Sequence, residues 1–466
     1  MNVRIRILFI PLYRWPFDRE WATELRKETI KSLSRLNFLE LIYPSEEDVK
    51  NGLISSDHDA LSVIQKFKQK GIDAILLGAM TYPHETAAAD IVHAFKGVPV
   101  GLFATKEPPL PPDGLRKSDS FCGTLALAAT LHKRGLPFVF LGIYDPRDDS
   151  FLKKVESFSR ASAIIKGLSG LRIGIIGPRP ETFEMVSFNE HALIKRFNLR
   201  IIPISLYETV KRMEKISNSD NRVLLTIKDM SEMADLSDVP KDDLMAMAKL
   251  EVALRELSKE KSLTGMAIKG WLELPEYIGI TPYFVMSRLT QDGIICAMES
   301  DIYGLLSMLI QYFAALKTTP PLLTDWTLQH PTKPNVFLAW HAGFPIILRH
   351  KDSSVKIEYP STFYKAFNKK YYGTPWFRLK PGRVTLSRIV EYNGEFKMFI
   401  TKGTVLDEGG PFKDSWGWVK VSNLERIYRI LIEEGFTQHV SMIYGDYVEP
   451  ISIACKFLGI KTIIQE

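Results

Sequence analysis

Cysteine is scarce: three residues, Cys122, Cys296 and Cys455, in a chain of 466. Their odd number and apolar neighbours exclude a disulfide framework and point to reduced thiols in a cytoplasmic protein, with no thiol nucleophile implied. Nowhere do about 18 apolar residues run uninterrupted, so a membrane-spanning helix is excluded and a soluble protein is expected. The opening stretch from Met1 to Pro11 alternates charge with β-branched residues. It lacks the apolar run and small-residue cleavage site of a signal peptide and reads as the first strand of a sheet. The 60 Lys and Arg against 54 Asp and Glu leave a formal charge of +6. These charges are scattered, not gathered into a stripe that could follow a phosphate backbone, which excludes nucleic acid as the expected partner. Neither Gly-x-x-x-x-Gly-Lys-Ser/Thr nor Gly-x-Ser-x-Gly occurs, so phosphate-loop and serine-hydrolase chemistry lose their usual supports. The turn Gly174-Ile-Ile-Gly177-Pro-Arg-Pro lacks a third glycine and sets proline where a phosphate-cradling helix would begin, which argues against a dinucleotide site.

What is present is ordinary globular composition, 45% hydrophobic and 24% charged, in a chain too long for one core; two or three domains are expected. From Val3 to about Asp145, strand-like runs (Ile5 to Ile10, Ala74 to Leu77, Val98 to Phe103, Phe138 to Leu141) alternate with helical stretches such as Glu20 to Leu36 and Asp59 to Lys70. That is the rhythm of a parallel sheet with helices on its faces. Proline breaks it over Lys106 to Gly114, a predicted surface loop. A second unit of the same kind opens at Gly170 to Gly177 and continues through an amphipathic helical region from Pro240 to Lys259. After about His350 the texture changes to short runs (Val355 to Glu358, Arg383 to Tyr392, Glu395 to Thr404, Gly417 to Val421), with Asn393-Gly394 as a hairpin turn. The expected fold is α/β: two doubly wound parallel-sheet domains, 1–168 and 169–345, followed by a mostly antiparallel β domain, 346–466.

Three polar residues sit at the ends of apolar runs: Glu299 after Gly293-Ile-Ile-Cys-Ala-Met, Asp325 after Pro321-Leu-Leu-Thr, and His439 before Val440-Ser-Met-Ile-Tyr. A strand end holds its backbone rigidly, so each side chain is delivered from a fixed base. Two carboxylates and a neutral imidazole suit a hard or borderline divalent ion better than a thiolate-rich site would. His341, in Trp340-His341-Ala-Gly343, reads either as a further ligand or as a core histidine bonded to backbone. Trp271 to Glu276 reads as a loop, and Met286 to Gly293 as a helix stopped by glycine.

Cys296-Ala-Met-Glu299-Ser-Asp301-Ile-Tyr-Gly304, Leu323-Thr-Asp325-Trp326, Trp340-His341-Ala-Gly343, Leu379-Lys-Pro-Gly-Arg-Val-Thr385 and Gln438-His439 with Tyr444-Gly445-Asp446 together resemble, in that order, the L-fucose isomerase and L-arabinose isomerase superfamily. Ser118-Asp-Ser-Phe-Cys-Gly123 and Ile176-Gly-Pro-Arg-Pro-Glu-Thr-Phe183 extend the resemblance upstream. It implies a sugar ketol isomerase that interconverts an aldose and a ketose through a cis-enediol, with Glu299, Asp325 and His439 as ligands of Mn²⁺ (or Co²⁺ or Mg²⁺) and His341 as an additional ligand. Glu299 and Asp325 would also serve as the catalytic base and acid, while Trp271, Trp340, Ser120 and Lys380 would touch the sugar. It further implies a homo-oligomer, trimer or hexamer, with the site near a subunit interface. One departure is visible: the superfamily usually carries two adjacent histidines where this chain has Gln438-His439. That favours, as the alternative, a sugar-binding or regulatory protein that kept the fold without turnover. A metal-dependent hydrolase or lyase on the same ligands is a third reading.

Overall fold

The computed structural model describes residues 3–109 and 114–466, with the side chains of all of these except 361, 366 and 367. Residues 1–2 of the expected first strand and 110–113 of the expected proline loop lie outside the described residues. The chain divides into two compact units: one runs to Lys166 and takes in Ser452–Phe457, and the other comprises Gly167–Ile451 and Leu458–Glu466.

The first unit is built on β1 (Ile5–Leu12), β2 (Leu39–Ile42), β3 (Ala74–Ala79), β4 (Val100–Thr105) and β5 (Val139–Tyr144), all parallel in the order β2-β1-β3-β4-β5. Every residue of β3 and β4 is buried, the signature of strands covered by helices on both faces. The rhythm of the sequence is thus observed as a doubly wound sheet. The short β2 was not legible, because Leu39–Ile42 is only half-buried and has no clear period.

In the second unit, β6 (Arg172–Ile176), β7 (Arg200–Ile204), β8 (Gly265–Ile268) and β9 (Ile295–Met298) form another parallel sheet, ordered β7-β6-β8-β9. The helix Lys241–Lys261 carries Asp242 and Asp243 in its first turn and Lys259 and Lys261 in its last, so both ends match the helix dipole. Met247, Leu250, Leu254 and Leu257 on this helix join the core that also holds Met266 and Ile268 of β8. A nine-stranded sheet follows: β10 (Leu322–Gln329), β11 (Val336–His341), β12 (Lys356–Glu358), β13 (Thr374–Arg378), β14 (Gly382–Tyr392), β15 (Glu395–Val405), β16 (Ser415–Val421), β17 (His439–Tyr444) and β18 (Lys461–Gln465). It is largely antiparallel, as expected. Its middle closes on itself, because β16, β11, β10, β17, β14 and β15 pair in sequence and β15 pairs back with β16, every contact antiparallel. Closure removes the exposed edges that such long strands would otherwise present. Asn393 and Gly394 take φ of 56° and 87° between Tyr392 and Glu395, the two-residue hairpin their sequence predicts.

The strand expected to end at Asp325 instead runs on to Gln329 and belongs to this closed sheet. The loss of a continuous apolar run after Asp325 hid that continuation, since Trp326 and Thr327 are half-buried and Leu328 and Gln329 exposed. Among the described residues no helix is long and apolar enough to cross a membrane.

Candidate metal centre

Glu299 follows the last residue of β9, at the carboxyl end of a parallel sheet, where open α/β folds place their ligands. The turn there is unusual: Glu299 and Ser300 both adopt left-handed backbone, φ 61° and 56°. Each such non-glycine residue costs about 1–3 kcal/mol and persists only when its surroundings hold it. Here the Ser300 hydroxyl donates to the Gly177 and Pro178 carbonyls, and the Ser300 and Asp301 amides donate to Ile268 and Met298. The glycine turn that failed as a phosphate cradle therefore braces the turn that aims Glu299.

The other polar groups come from the closed sheet. Asp325 on β10 pairs directly with His439 on β17 and with Trp340 on β11, and His341 is the next residue. Neighbouring strands thus hold Asp325 and His439 in register, with His341 one position further along β11. The ligand atoms of Glu299, His341 and His439 all lie within 4.8 Å of one another. Asp325 stands outside that tightest trio, yet its Oδ1 is 3.6 Å from His439 Nε2. Surrounded by protein, it keeps 29% of its side-chain surface open to the cleft. His439 and Glu299 are buried.

His439 Nε2 approaches Glu299 Oε2 to 2.9 Å, but Glu299 Oε2 and Asp325 Oδ1 remain buried without a hydrogen-bond partner among the described residues. On its other side the ring is fixed: His439 Nδ1 lies 2.8 Å from Asp301 Oδ2. Asp301 is itself held by Arg388, whose Nη1 and Nη2 reach its two oxygens at 2.5 and 3.1 Å, and by the Gly304 amide at the start of helix Ile302–Ala314. Two orphaned carboxylate oxygens facing one imidazole nitrogen form a cradle that a divalent cation fits.

The titration of these groups follows the same geometry. Burial works against ionisation of Glu299, yet the His439 imidazole beside it holds its carboxyl below the usual range. Asp325 goes the other way: burial pushes it up, the two imidazoles oppose the shift, and Glu299 and Asp301 reinforce it. Burial opposes charge on His439, but Asp301 and Glu299 overcome it and carry the imidazole up to about 10. Asp301 is held well below the carboxylate range by Arg388 and His439 despite complete burial.

A cleft of about 370 Å³ opens over these groups. Trp271 lies between Phe183 and Phe363, with ring centroids 6.0 and 4.8 Å away, and makes one aromatic wall. Trp340 lines it with its indole nitrogen donating to the Lys413 carbonyl, 2.7 Å. Two of the expected sugar contacts are thus in the cleft. The other two are not among its lining: Ser120 belongs to the first unit, where its hydroxyl donates to the Ala79 carbonyl, and the Lys380 ammonium sits 5.2 Å over the Tyr444 ring. Reading the sequence missed Tyr283 and Asp414 as lining residues in the cleft, whereas Gln438, singled out beside His439, does line it. Asp414 left a trace in the structure's backbone, a φ of 60°, but neither Tyr283 nor Asp414 left one in composition or spacing.

Residues 9–169 match the family model described as Fucose/sulfoquinovose isomerase, N-terminal domain, and residues 342–465 match L-fucose isomerase, C-terminal domain. The chain belongs to the fucose isomerase family. It is accordingly an intramolecular oxidoreductase of the sugar ketol isomerase kind. Relatives of this fucose isomerase family member include proteins named sulfoquinovose isomerase. The one from Priestia aryabhattai is 23% identical over 461 residues, 98% of each chain, and the one from Alkalicoccus urumqiensis is 25% identical over 451 residues, 96% of each.

Proposed function

We propose that this chain interconverts an aldose and a ketose through a cis-enediol, with Glu299, Asp325 and His439 as ligands of a divalent cation, Mn²⁺ first, and His341 beside them. The observation that carries the reading is the pair of orphaned oxygens, Glu299 Oε2 and Asp325 Oδ1, turned toward His439 Nε2. A bound cation supplies Lewis-acid stabilisation of the charge that develops when a weakly acidic C–H loses its proton. The protein's own part is positioning. Glu299 and Asp325 arrive from different sheets, so a sugar lying between them meets one carboxylate that takes the proton and another group that returns it. The aromatic wall of Phe183, Trp271 and Phe363 packs the apolar face of a sugar ring and keeps water from the reacting carbons.

Gln438 does not remove a ligand from this set, because His439, not its neighbour, carries the buried imidazole facing both carboxylates. The name of the relatives makes a sulfonated aldohexose the first substrate to try, alongside neutral pentoses and hexoses. Among the described residues, those lining the cleft include no Lys or Arg, so a sulfonate would draw its cationic contact from elsewhere. Site assembly from subunits of a homo-oligomer, as the resemblance implies, belongs to the same proposal.

The test is a panel of aldoses and ketoses in D₂O with Mn²⁺ present. Interconversion with deuterium entering at C2 supports the proposal. Sugar binding without exchange moves the chain to the non-catalytic binders, and bond cleavage moves it to the hydrolases or lyases.

A further inference from the structure

The two imidazoles of the site have different hydrogen-bond partners, and those partners decide what each ring can do. A neutral imidazole carries one proton, and the group bonded to one nitrogen fixes the state of the other. His439 Nδ1 faces Asp301 Oδ2 at 2.8 Å, an ionised acceptor paired with Arg388, so Nδ1 carries the proton and donates. That leaves Nε2 as the nitrogen directed at Glu299 and Asp325, the one a cation between them would take. His341 is arranged in the opposite sense. Its Nδ1 accepts the backbone N–H of Ala342 at 2.8 Å, so that lone pair is occupied and the ring's one proton sits on Nε2.

We infer that the two histidines divide the work: His439 is a metal ligand positioned by Asp301, whereas His341 ligates nothing and donates its Nε2 proton in a hydrogen bond to a reacting oxygen of the sugar. This rests on the function proposed above and assigns roles within that site. The two rings are neighbours, centroids 5.7 Å apart, so a donor at His341 lies beside the oxygens that a cation held by His439 would gather. A fixed donor of this kind, aimed at an oxygen on which charge develops, acts without reorganising.

The Asp301 side of the device is tightly built. Asp301, Arg388 and His439 are all within 1% of complete burial. Gly304 leaves the room they need, since a Cβ there would stand 2.5 Å from Asp301 Oδ2 and 2.9 Å from Arg388 Nη1. The Asp301 motif was visible in the sequence, but its partners lie 87 and 138 residues further along the chain.

Mn²⁺ affinity, measured by calorimetry on the full-length protein, separates the roles, with turnover measured beside it. His439→Gln is expected to lose at least about 100-fold in Mn²⁺ affinity, and Asp301→Asn about 10–100-fold as an outer partner of a ligand. His341→Phe is expected to bind Mn²⁺ within about threefold of wild type and to lose about 10²–10³ in kcat, the usual loss for one oxyanion donor. His341→Gln, which keeps an N–H donor, should recover part of that loss. If His341→Phe loses Mn²⁺ affinity as His439→Gln does, the division of roles is overturned. Should a histidine variant fail to fold, ¹⁵N-histidine spectra of the Zn²⁺-loaded wild type decide: one site ring protonated at Nδ1 with Nε2 metal-bound supports the inference, and two metal-bound site rings overturn it. A wild type that binds no divalent ion overturns the proposed function itself, a separate result.

Discussion

Arg288 with Glu251 and Arg388 with Asp301 are the same device in two places of the second unit. Each buries a guanidinium against a carboxylate, with side-chain exposures of 7% and 1% in the first pair and 1% and 0% in the second. Around the first, Arg255 bonds both Glu251 and Asp292, and Arg288 also reaches Met233. Those partners tie the helices Asn221–Met233, Lys241–Lys261 and Tyr283–Gln291 together, and among the described residues the hydrogen bonds of this network stay on that scaffold. The second pair, beside the Gly304 amide, also has His439 as a partner, and through it reaches Glu299 and Asp325. Burying an ion pair is weak evidence for stability, since desolvation offsets most of the attraction. What separates the two is where the last hydrogen bond goes: one closes on the scaffold, and the other orients an imidazole at the cleft.

Variants that break each pair differently sharpen this contrast. The largest effect belongs to the groups the second pair serves. Glu299→Gln and Asp325→Asn are expected to lower turnover by about 10²–10⁴-fold while thermal unfolding stays near wild type. Near-normal turnover in either would remove that residue from catalysis. Next comes Arg288→Met, which leaves the buried Glu251 with Arg255 as its remaining cationic partner and should cost about 1–3 kcal/mol in denaturant unfolding, with Mn²⁺ affinity unchanged in the folded fraction. Loss of metal binding in that variant would erase the distinction between the pairs. Asp301→Asn should show the reverse pattern, with its main effect on Mn²⁺ affinity.

The smallest effect comes from a pair in the first unit with little burial. Asp48 is brought down to about 2, chiefly by its hydrogen bond to Lys66, with burial opposing and Ser45 assisting. A depressed carboxyl contributes stability that is fully present above the unfolded value of about 3.9 and is lost as pH falls through the folded value. Asp48→Asn should therefore cost less than about 1 kcal/mol at neutral pH because the pair is screened, a gap to wild type that closes as pH falls from roughly 4 to 2. Acid unfolding monitored by circular dichroism measures it, and a large shift would mean that surface pairs here act like buried ones.

Much of this was legible from residue order. The two parallel sheets announced themselves through buried apolar runs at βα spacing, and Glu299 and His439 through their places at the ends of such runs. Asp325 was legible as a polar residue after Leu322 and Leu323, though not as the middle of a strand, because half-buried and exposed residues follow it. Closure of the antiparallel sheet was not legible, since the β15–β16 pairing leaves no local pattern. Nor were the different hydrogen-bond partners of the two histidines, which are Asp301, itself held by Arg388, for His439 and the backbone amide of Ala342 for His341. Ser120 shows the converse: its motif resembles the family's, and its hydroxyl in this chain is engaged with Ala79 and Thr105.

The most direct check of the account is an anomalous-difference map from crystals grown with Mn²⁺. The account predicts a single strong peak within coordination distance of Glu299, Asp325 and His439 Nε2. A map with no peak among these three residues, or with the ion bound elsewhere, would contradict it.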